Sequence, residues 1–400
     1  MSARATSRIR PASPIATGQR QIAICNWRDR RHPEGGGSEL YIESIAARLA
    51  AAGHRVTMMC ASVEGEPGDE TRDGVHYRRR GTHHTVYLAA AWALLTRRVR
   101  ADVVIDVQNG VPFLSSVVTR KPVVALVHHV HREQWSIVFG PRAARVGWWV
   151  ESRLGPMLYR RSRYIAVSEA TRRDLAGLGV SPDRITVVHN GTPTLPEPHL
   201  GRSPAPRVVV LGRLVPHKHV GIVLAAAAAL RERHPDLVVD VVGHGYFEAD
   251  LRAQAAELDL HDAVIFHGWV DEQTKSDLLA QAWVNAVPSV KEGWGLGVVE
   301  AATVGTPSIA FAGAGGLDES IVAGHTGVLV DGDAEEFARE LGLLLDDTER
   351  RTELGAAARR RAAMFTWDDA ADQVAEILDT AMGRVAVSAD AVEPAVSPAA

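Results

Sequence analysis

Short β-branched runs alternating with longer helical patterns constrain this chain more than any other feature, because they specify parallel strands covered by helices on both faces. The series starts at Gln21, with runs at Ile22 to Asn26, Arg55 to Cys60, Val103 to Val107, Val123 to His128, Ile165 to Val167 and Ile185 to His189. Between Asn190 and Arg207 lie five prolines, which no helix interior or central strand accommodates. A second series follows at Val208 to Leu211, Val238 to Val242, Val264 to Phe266, Val284 to Val287, Ser308 to Phe311 and Val328 to Val330. At 400 residues the chain exceeds the roughly 250 to 300 at which single cores stop growing. The expected fold class is therefore α/β, with two Rossmann-like, doubly wound parallel-sheet domains. Their expected limits are 21–195 and 206–366, with a further helix at 367–384 beginning near Asp368, a disordered leader at 1–20 and a disordered tail at 385–400.

Charge and composition exclude several classes. Lys plus Arg is 44 against 48 Asp plus Glu, and a formal charge of -4 gives no global field to attract nucleic acid. No apolar run approaches the roughly 18 residues of a membrane span, and residues 1–20 lack the continuous apolar stretch of a secretory signal. Cys25 and Cys60 sit in strand-like runs without C-x-x-C spacing, so both read as buried thiols in a reducing compartment, and the expected location is cytoplasmic, extending to the inner face of the membrane. Arg142 to Arg163 contains six arginines and one glutamate around Trp148 and Trp149. Residues 142–163 are thus a candidate for peripheral membrane contact, the alternative being a half-buried helix with a solvated arginine face.

In open parallel sheets, ligands bind beyond the carboxyl ends of the strands. The loop after the first run carries Gly35, Gly36 and Gly37 ahead of a helix, where backbone N–H groups and the helix dipole favour an anion. The alternative is a flexible turn with Ser38 as helix cap. The spacing is not G-x-G-x-x-G, which disfavours a dinucleotide-dependent oxidoreductase. The first run of the second series exits through Arg213 and Lys218, two cations placed to converge on a diphosphate. Lys291-Glu292-Gly293-Trp294-Gly295-Leu296-Gly297-Val298-Val299-Glu300 follows the fourth run of that series. Gly293 and Gly295 open a helix whose free N–H groups suit phosphate or sugar oxygens, with Glu292 at the loop set to meet sugar hydroxyls and Glu300 to accept from a ribose.

The E-x7-E element with its internal G-aromatic-G-L, preceded by G-R-L-x-x-x-K, resembles the retaining glycosyltransferases of the GT-B fold, specifically family 4. The early glycine loop, Val167-Ser168-Glu169, His189-Asn190-Gly191, Val242-Gly243-His244-Gly245 and Phe266-His267-Gly268-Trp269-Val270 extend the likeness over nearly the whole chain. The resemblance implies a hexosyl transfer from a UDP- or GDP-sugar to a hydroxyl acceptor, with retention and without a metal or other cofactor. The acceptor candidates are a glycolipid, a polysaccharide or a secondary-metabolite precursor. It implies that Arg213 and Lys218 grip the diphosphate, that Glu292 binds the donor sugar and that Glu300 binds the ribose. Backbone groups of Trp294, Gly295 and Leu296 complete that site, Gly36 and Gly37 face it from the acceptor-side first domain, and the base rests against Gly268 to Val270. The last helix is expected to cross back to the first domain.

The family also places a histidine near the donor sugar, and Val127-His128-His129-Val130-His131 occupies that position. His128 directly ends the apolar run and is preferred, with His129 the alternative. The cluster lacks the flanking ligands of common zinc sites. Trp294 stands where Phe is frequent, and His217 and His219 flank Lys218 in place of the usual acid and glycine, which leaves the donor sugar open. Asp106 to Gly110 and His83-His84 are assigned to the acceptor side. A sugar phosphorylase on the same fold and a non-catalytic nucleotide-sugar-binding protein are the competing readings.

Overall fold

The computed structural model describes residues 18–384, so the expected tail and residues 1–17 of the expected leader lie outside the described residues. The first sheet contains β1 (Gln21–Cys25), β2 (Arg55–Cys60), β3 (Asp69–Arg72), β4 (Val75–Arg79), β5 (Val103–Gln108), β6 (Val123–Val127), β7 (Arg163–Ala166) and β8 (Ile185–Val187). Its spatial order is β3-β4-β2-β1-β5-β6-β7-β8. Around it lie α1 (Gly37–Ala51), α2 (Val86–Leu95), α3 (Ser115–Val118), α4 (Arg132–Val138), α5 (Pro141–Trp149), a π-helical turn at Val150–Leu154, α6 (Gly155–Leu158) and α7 (Glu169–Gly177). The second sheet contains β9 (Arg207–Leu211), β10 (Val238–Val242), β11 (Val264–Gly268), β12 (Val284–Val287), β13 (Ser308–Phe311) and β14 (Gly327–Val330), in the order β11-β10-β9-β12-β13-β14. Its helices are α8 (Val220–Leu230), α9 (Glu248–Glu257), α10 (Glu272–Gln281), α11 (Leu296–Thr303), α12 (Leu317–Ser320), α13 (Ala334–Asp346) and α14 (Thr348–Ala362), and α15 (Trp367–Ala381) ends the described chain.

The chain is thus α/β with two parallel-sheet domains. Central strands such as β6, Val-Val-Ala-Leu-Val, are buried at every residue, as a parallel strand covered on both faces must be. Register sets the chemistry-bearing ends level. Cys25 pairs with both Met59 and Asp106, and Gln108 with Val127, so the loops after β1, β5 and β6 leave from one edge.

Two features depart from the expectations. The hairpin β3–β4 was not anticipated, and it is the only antiparallel pairing of two strands among the described residues. Asp73 and Gly74 form its two-residue turn at φ 51 and 77, and Asp69-Glu-Thr-Arg escapes a hydrophobic reading because it is a polar edge strand. Arg20, assigned to the leader, is fully buried and ion-paired with Asp379 of α15. The last helix starts at Trp367, where the Thr366 side chain caps it by accepting from Asp369 N.

Helix α15 packs in the core of the first sheet. Trp367, Val374, Ile377 and Leu378 join one cluster with Ile22, Tyr41 and Ile45. Phe365 O accepts from Thr192 N at 2.9 Å, so the proline-rich linker and the returning segment run side by side.

Candidate active site

The loop after β9 turns at Gly212, whose φ of 150° suits glycine, and presents Arg213. A 3-10 turn at Pro216–Lys218 follows, closed by His219 in the left-handed region at φ 49. His217 O accepts from Val290 N at 3.0 Å, which ties this loop to the one after β12. Together the two loops line a hollow of about 240 Å³ that includes Gly212, Arg213, Lys218 and Ser289.

Lys218 and Arg213 differ in what they meet. Lys218 Nζ is ion-paired with Glu292 Oε1, which also accepts from Ser289 Oγ at 2.7 Å. Burial pushes the Glu292 carboxyl up, but Lys218 and Ser289 outweigh it and hold the group below the usual carboxylate range. Arg213 is half-buried and forms no side-chain hydrogen bond or ion pair among the described residues. Burial, and then the guanidinium of Arg28, lower its pKa. Two guanidiniums from opposite domains thus approach one place, where Glu39, Glu34 and Glu292 act on Arg213 from a distance without pairing with it.

Gly295, at φ 89, caps α11, and a Cβ there would lie 2.5 Å from Leu317 Cδ2. Leu296 begins the helix. The Trp294 side chain turns away from this loop and is buried against His189 (ring centroids 4.4 Å) and Phe365 (4.9 Å), so only its backbone remains beside the hollow. Glu300 accepts from Lys275 Nζ at 2.7 Å, and burial raises its pKa despite that partner. Gly268, at φ 65, lies at the end of β11, where its carbonyl accepts from Gly243 N at 2.8 Å. Val270 is partly buried beside it, while Trp269 is 75% exposed.

From the first domain, the glycine loop reaches this ground with a different division of labour from the one expected. Gly36 N donates to Glu39 Oε2 at 2.7 Å, so that N–H is already used and Ser38 is not the helix cap. Ser38 instead donates to Glu39 Oε1. A Cβ on Gly37 would lie 2.7 Å from Leu296 Cδ1, and one on Gly36 would lie 3.8 Å from Arg213 Nε. These glycines let the first domain close on the second. Arg28, just past β1, pairs with the buried Glu39 at 2.9 Å and lies over the Trp27 ring at 4.3 Å.

His128 and His129 diverge. His128 is 6% exposed, its Nε2 has no partner among the described residues, and burial lowers its pKa to about 4. His129 Nε2 lies 2.8 Å from Gln134 Oε1. A Cβ on Gly293 would lie 2.5 Å from the His128 carbonyl oxygen, so the loop after β12 rests directly on His128. Next to it, the π-helical turn aims Glu151 at His131 Nδ1 (2.8 Å) and at Trp135 Nε1, which donates at 2.6 Å. Among the acceptor-side candidates, Asp106 is buried and accepts from the backbone N of Phe113 and Ser115 and from the Tyr159 hydroxyl, a structural role. His83 stacks on Trp27 at 4.5 Å, at the mouth of the cleft.

Sequence reasoning missed Arg28, Lys275, Glu151 and Glu319. Glu319 of α12 accepts from Glu169 N (2.8 Å) and Ala170 N (2.9 Å) at the start of α7, and lies 3.3 Å from His189 Nε2. Lys291 and Asp174 form a second link between the domains at 2.7 Å. Arg28 was open to the same reasoning that found Arg213, since both follow the first strand of a sheet. The others are recognisable only through partners distant in sequence.

Two family models cover the chain: "Glycosyltransferase Family 4" matches residues 35–195 and "Glycosyl transferases group 1" matches residues 193–361. The MMP alpha-(1->4)-mannosyltransferase of Mycolicibacterium hassiacum is 33% identical over 92% of this chain and 99% of its own length. A D-inositol 3-phosphate glycosyltransferase of Thermobispora bispora is 35% identical, and there the match spans only 57% of the relative's length and 56% of this chain. Among solved structures, sucrose-phosphate synthase from Thermosynechococcus elongatus superposes with a TM-score of 0.76 at 21% identity, covering 92% of this chain and all of that one (100%). Anabaena HepE in complex with UDP and glucose gives 0.70 at 20% identity, covering 90% and 100%. Identity sustained along the full length of the mannosyltransferase, on a fold shared with solved enzymes, makes the chain a GT-B glycosyltransferase of family 4.

Proposed function

We propose that this chain moves a hexosyl group from a UDP- or GDP-sugar to a hydroxyl acceptor, with retention of anomeric configuration and without a metal ion. The observation that carries the reading is Arg213: a half-buried guanidinium without a direct hydrogen-bond or ion-pair partner among the described residues, in the loop after β9. A diphosphate would pair with Arg213 directly, and helix N–H groups at Gly295 and Leu296 add donors in the direction the helix dipole favours. The UDP held by the Anabaena relative supports a nucleotide donor of this kind.

Each group then has a task. As the bond from the anomeric carbon to the phosphate oxygen breaks, its electron pair stays on the diphosphate, where Arg213 and Lys218 stabilise it. Glu292, ionised because Lys218 and Ser289 outweigh its burial, accepts from sugar hydroxyls and positions the ring. Glu300 and its partner Lys275 take the ribose, and Gly268 to Val270 take the base. His128 offers its unpartnered Nε2 to the sugar or its phosphate. The acceptor oxygen bonds to the anomeric carbon on the face the phosphate leaves, and its proton passes to a phosphate oxygen.

The test is donor binding and hydrolysis with UDP-, GDP- and ADP-sugars, with and without EDTA, followed by proton NMR of the transferred sugar. Turnover insensitive to EDTA, with the donor's configuration kept, is expected. Arg213→Ala should weaken UDP binding about ten- to a hundredfold, the roughly 1.5–3 kcal/mol of a charge-assisted hydrogen bond. Binding of no nucleotide sugar would overturn the reading, and product of inverted configuration would overturn its stereochemistry.

A further inference from the structure

Helices α2, α3, α5 and α6 cover one face of the first sheet, and their inward residues share a cluster with β1, β5 and β6. Helix α2 contributes Val86, Ala90 and Leu94 to it. On its outer side Leu88, Trp92 and Leu95 are 72%, 59% and 58% exposed. The spacing of four and then three residues sets them in one stripe along the helix. Helix α3 packs against α2 and exposes Val117, with Leu114 exposed just ahead of it. Single exposed apolar residues are ordinary, but a contiguous apolar surface on a folded domain marks an interaction site.

The surroundings of the stripe are cationic. Arg97, Arg98 and Arg100 are exposed just past α2, and Arg120 and Lys121 just past α3. No Asp or Glu occurs from His83 to Ala101 or from Gly110 to Lys121, and Asp102, just beyond, offsets Lys121 alone at 3.9 Å. The same helical layer exposes Trp149 on α5, while Trp148 packs inward and removes half of the aromatic surface expected of residues 142–163.

We propose that this face, centred on α2, docks on a bilayer containing anionic lipid, with Trp92 at the headgroup boundary and the arginines on the headgroups. The charge pattern selects this occupant. A second copy of the chain related by a two-fold axis would set one arginine cluster against another, at a cost in repulsion. An anionic surface gains from each cation. Tryptophan suits the interface, with an apolar body and a polar N–H. The ten residues of α2 are too few to span a bilayer, so the helix lies along the surface. Docking also brings the cleft to the lipid, since His83, ahead of α2, stacks on Trp27 beside Arg28. A lipid-linked hydroxyl acceptor would enter there, a consequence that rests on the transfer reading above, whereas the docking itself does not.

Co-sedimentation with vesicles of equimolar phosphatidylglycerol and phosphatidylcholine, against phosphatidylcholine alone, tests the proposal. Wild-type protein is expected on the anionic vesicles only, and to be released as salt rises. The double variant Leu88→Ser/Trp92→Ser should partition roughly tenfold less, and Arg98→Gln and Arg100→Gln about fivefold less each. Melting temperature and soluble donor hydrolysis should match wild type in all of them, which separates failure of docking from failure of the transferase reading. Absence of binding to anionic vesicles, or binding undiminished in the variants, overturns the proposal. So does concentration-dependent self-association abolished by the same serines, which would make a second copy the occupant.

Discussion

His128 is a neutral imidazole held in a dry place with one nitrogen unsatisfied, and its chemistry follows from that confinement. Burial lowers its pKa from 6.5 to about 4, with Glu39 opposing the shift. Between those two values the unfolded chain binds a proton that the folded chain refuses, so stability rises with pH across the window and falls as pH drops through it. Urea titrations of wild type and His128→Gln should therefore diverge as pH falls from 6.5 towards 4, with wild type losing on the order of 3 kcal/mol more than the variant. Parallel pH profiles would show that the imidazole protonates in the folded state without cost. The sequence preferred this residue to His129 only because the apolar run ends on it, without a physical contact to tell the two apart. That distinction belongs to Gln134, five residues further on, whose side chain occupies His129 and leaves His128 free. Likewise, the charge of Arg213 was legible at once, whereas its surroundings were not, because Arg28 and Glu39 reach it from the other domain.

At the scale of elements, the strands were legible because both faces of a parallel sheet must be apolar, and each run carries that requirement in its own residues. The polar edge strand β3 carries no such requirement, although the Asp73-Gly74 turn beside it is a strong hairpin signal. The π-helical turn that delivers Glu151 was not legible either, since one extra residue in a helical turn alters no hydrophobic period over five residues. Glycines at the loops were read as anion cradles, and several prove to be contact points between domains. Gly293 is the sharpest case, because the atom in the way of a Cβ is the backbone oxygen of His128, which no rotamer change can move. Gly293→Ala must therefore push the loop after β12 away from β6 and displace Glu292 from the place proposed for it beside the sugar. The expected result is a fall in turnover of roughly a hundredfold, the scale of an ångström misplacement, with the melting temperature little changed. Equal losses in turnover and in thermal stability would instead mean that Gly293 serves the fold alone.

For the whole molecule, the order of elements along the chain and the order of folding units in space differ at the end. Helix α15 follows the second sheet in sequence but completes the core of the first, joined there by the buried Arg20–Asp379 pair and by Arg48–Asp368 at 2.5 Å. Burial of Trp367, Val374, Ile377 and Leu378 is worth about 1.5–3 kcal/mol each, or roughly 6–12 kcal/mol together. That is comparable to the roughly 5–15 kcal/mol by which a whole domain is stable. A chain ending at Phe365 should therefore keep a folded second domain and lose the first, even though every residue of the first sheet is still present. Limited proteolysis should leave a resistant fragment beginning near the proline-rich linker, and that fragment should still bind UDP through Arg213 and Lys218, more weakly for want of Arg28. Transfer should be abolished, because His128 and the acceptor side disappear with the first domain. A truncated chain whose first domain resists protease as well as the full one would show that its core closes without α15, and that the returning helix only tethers the two halves of the cleft.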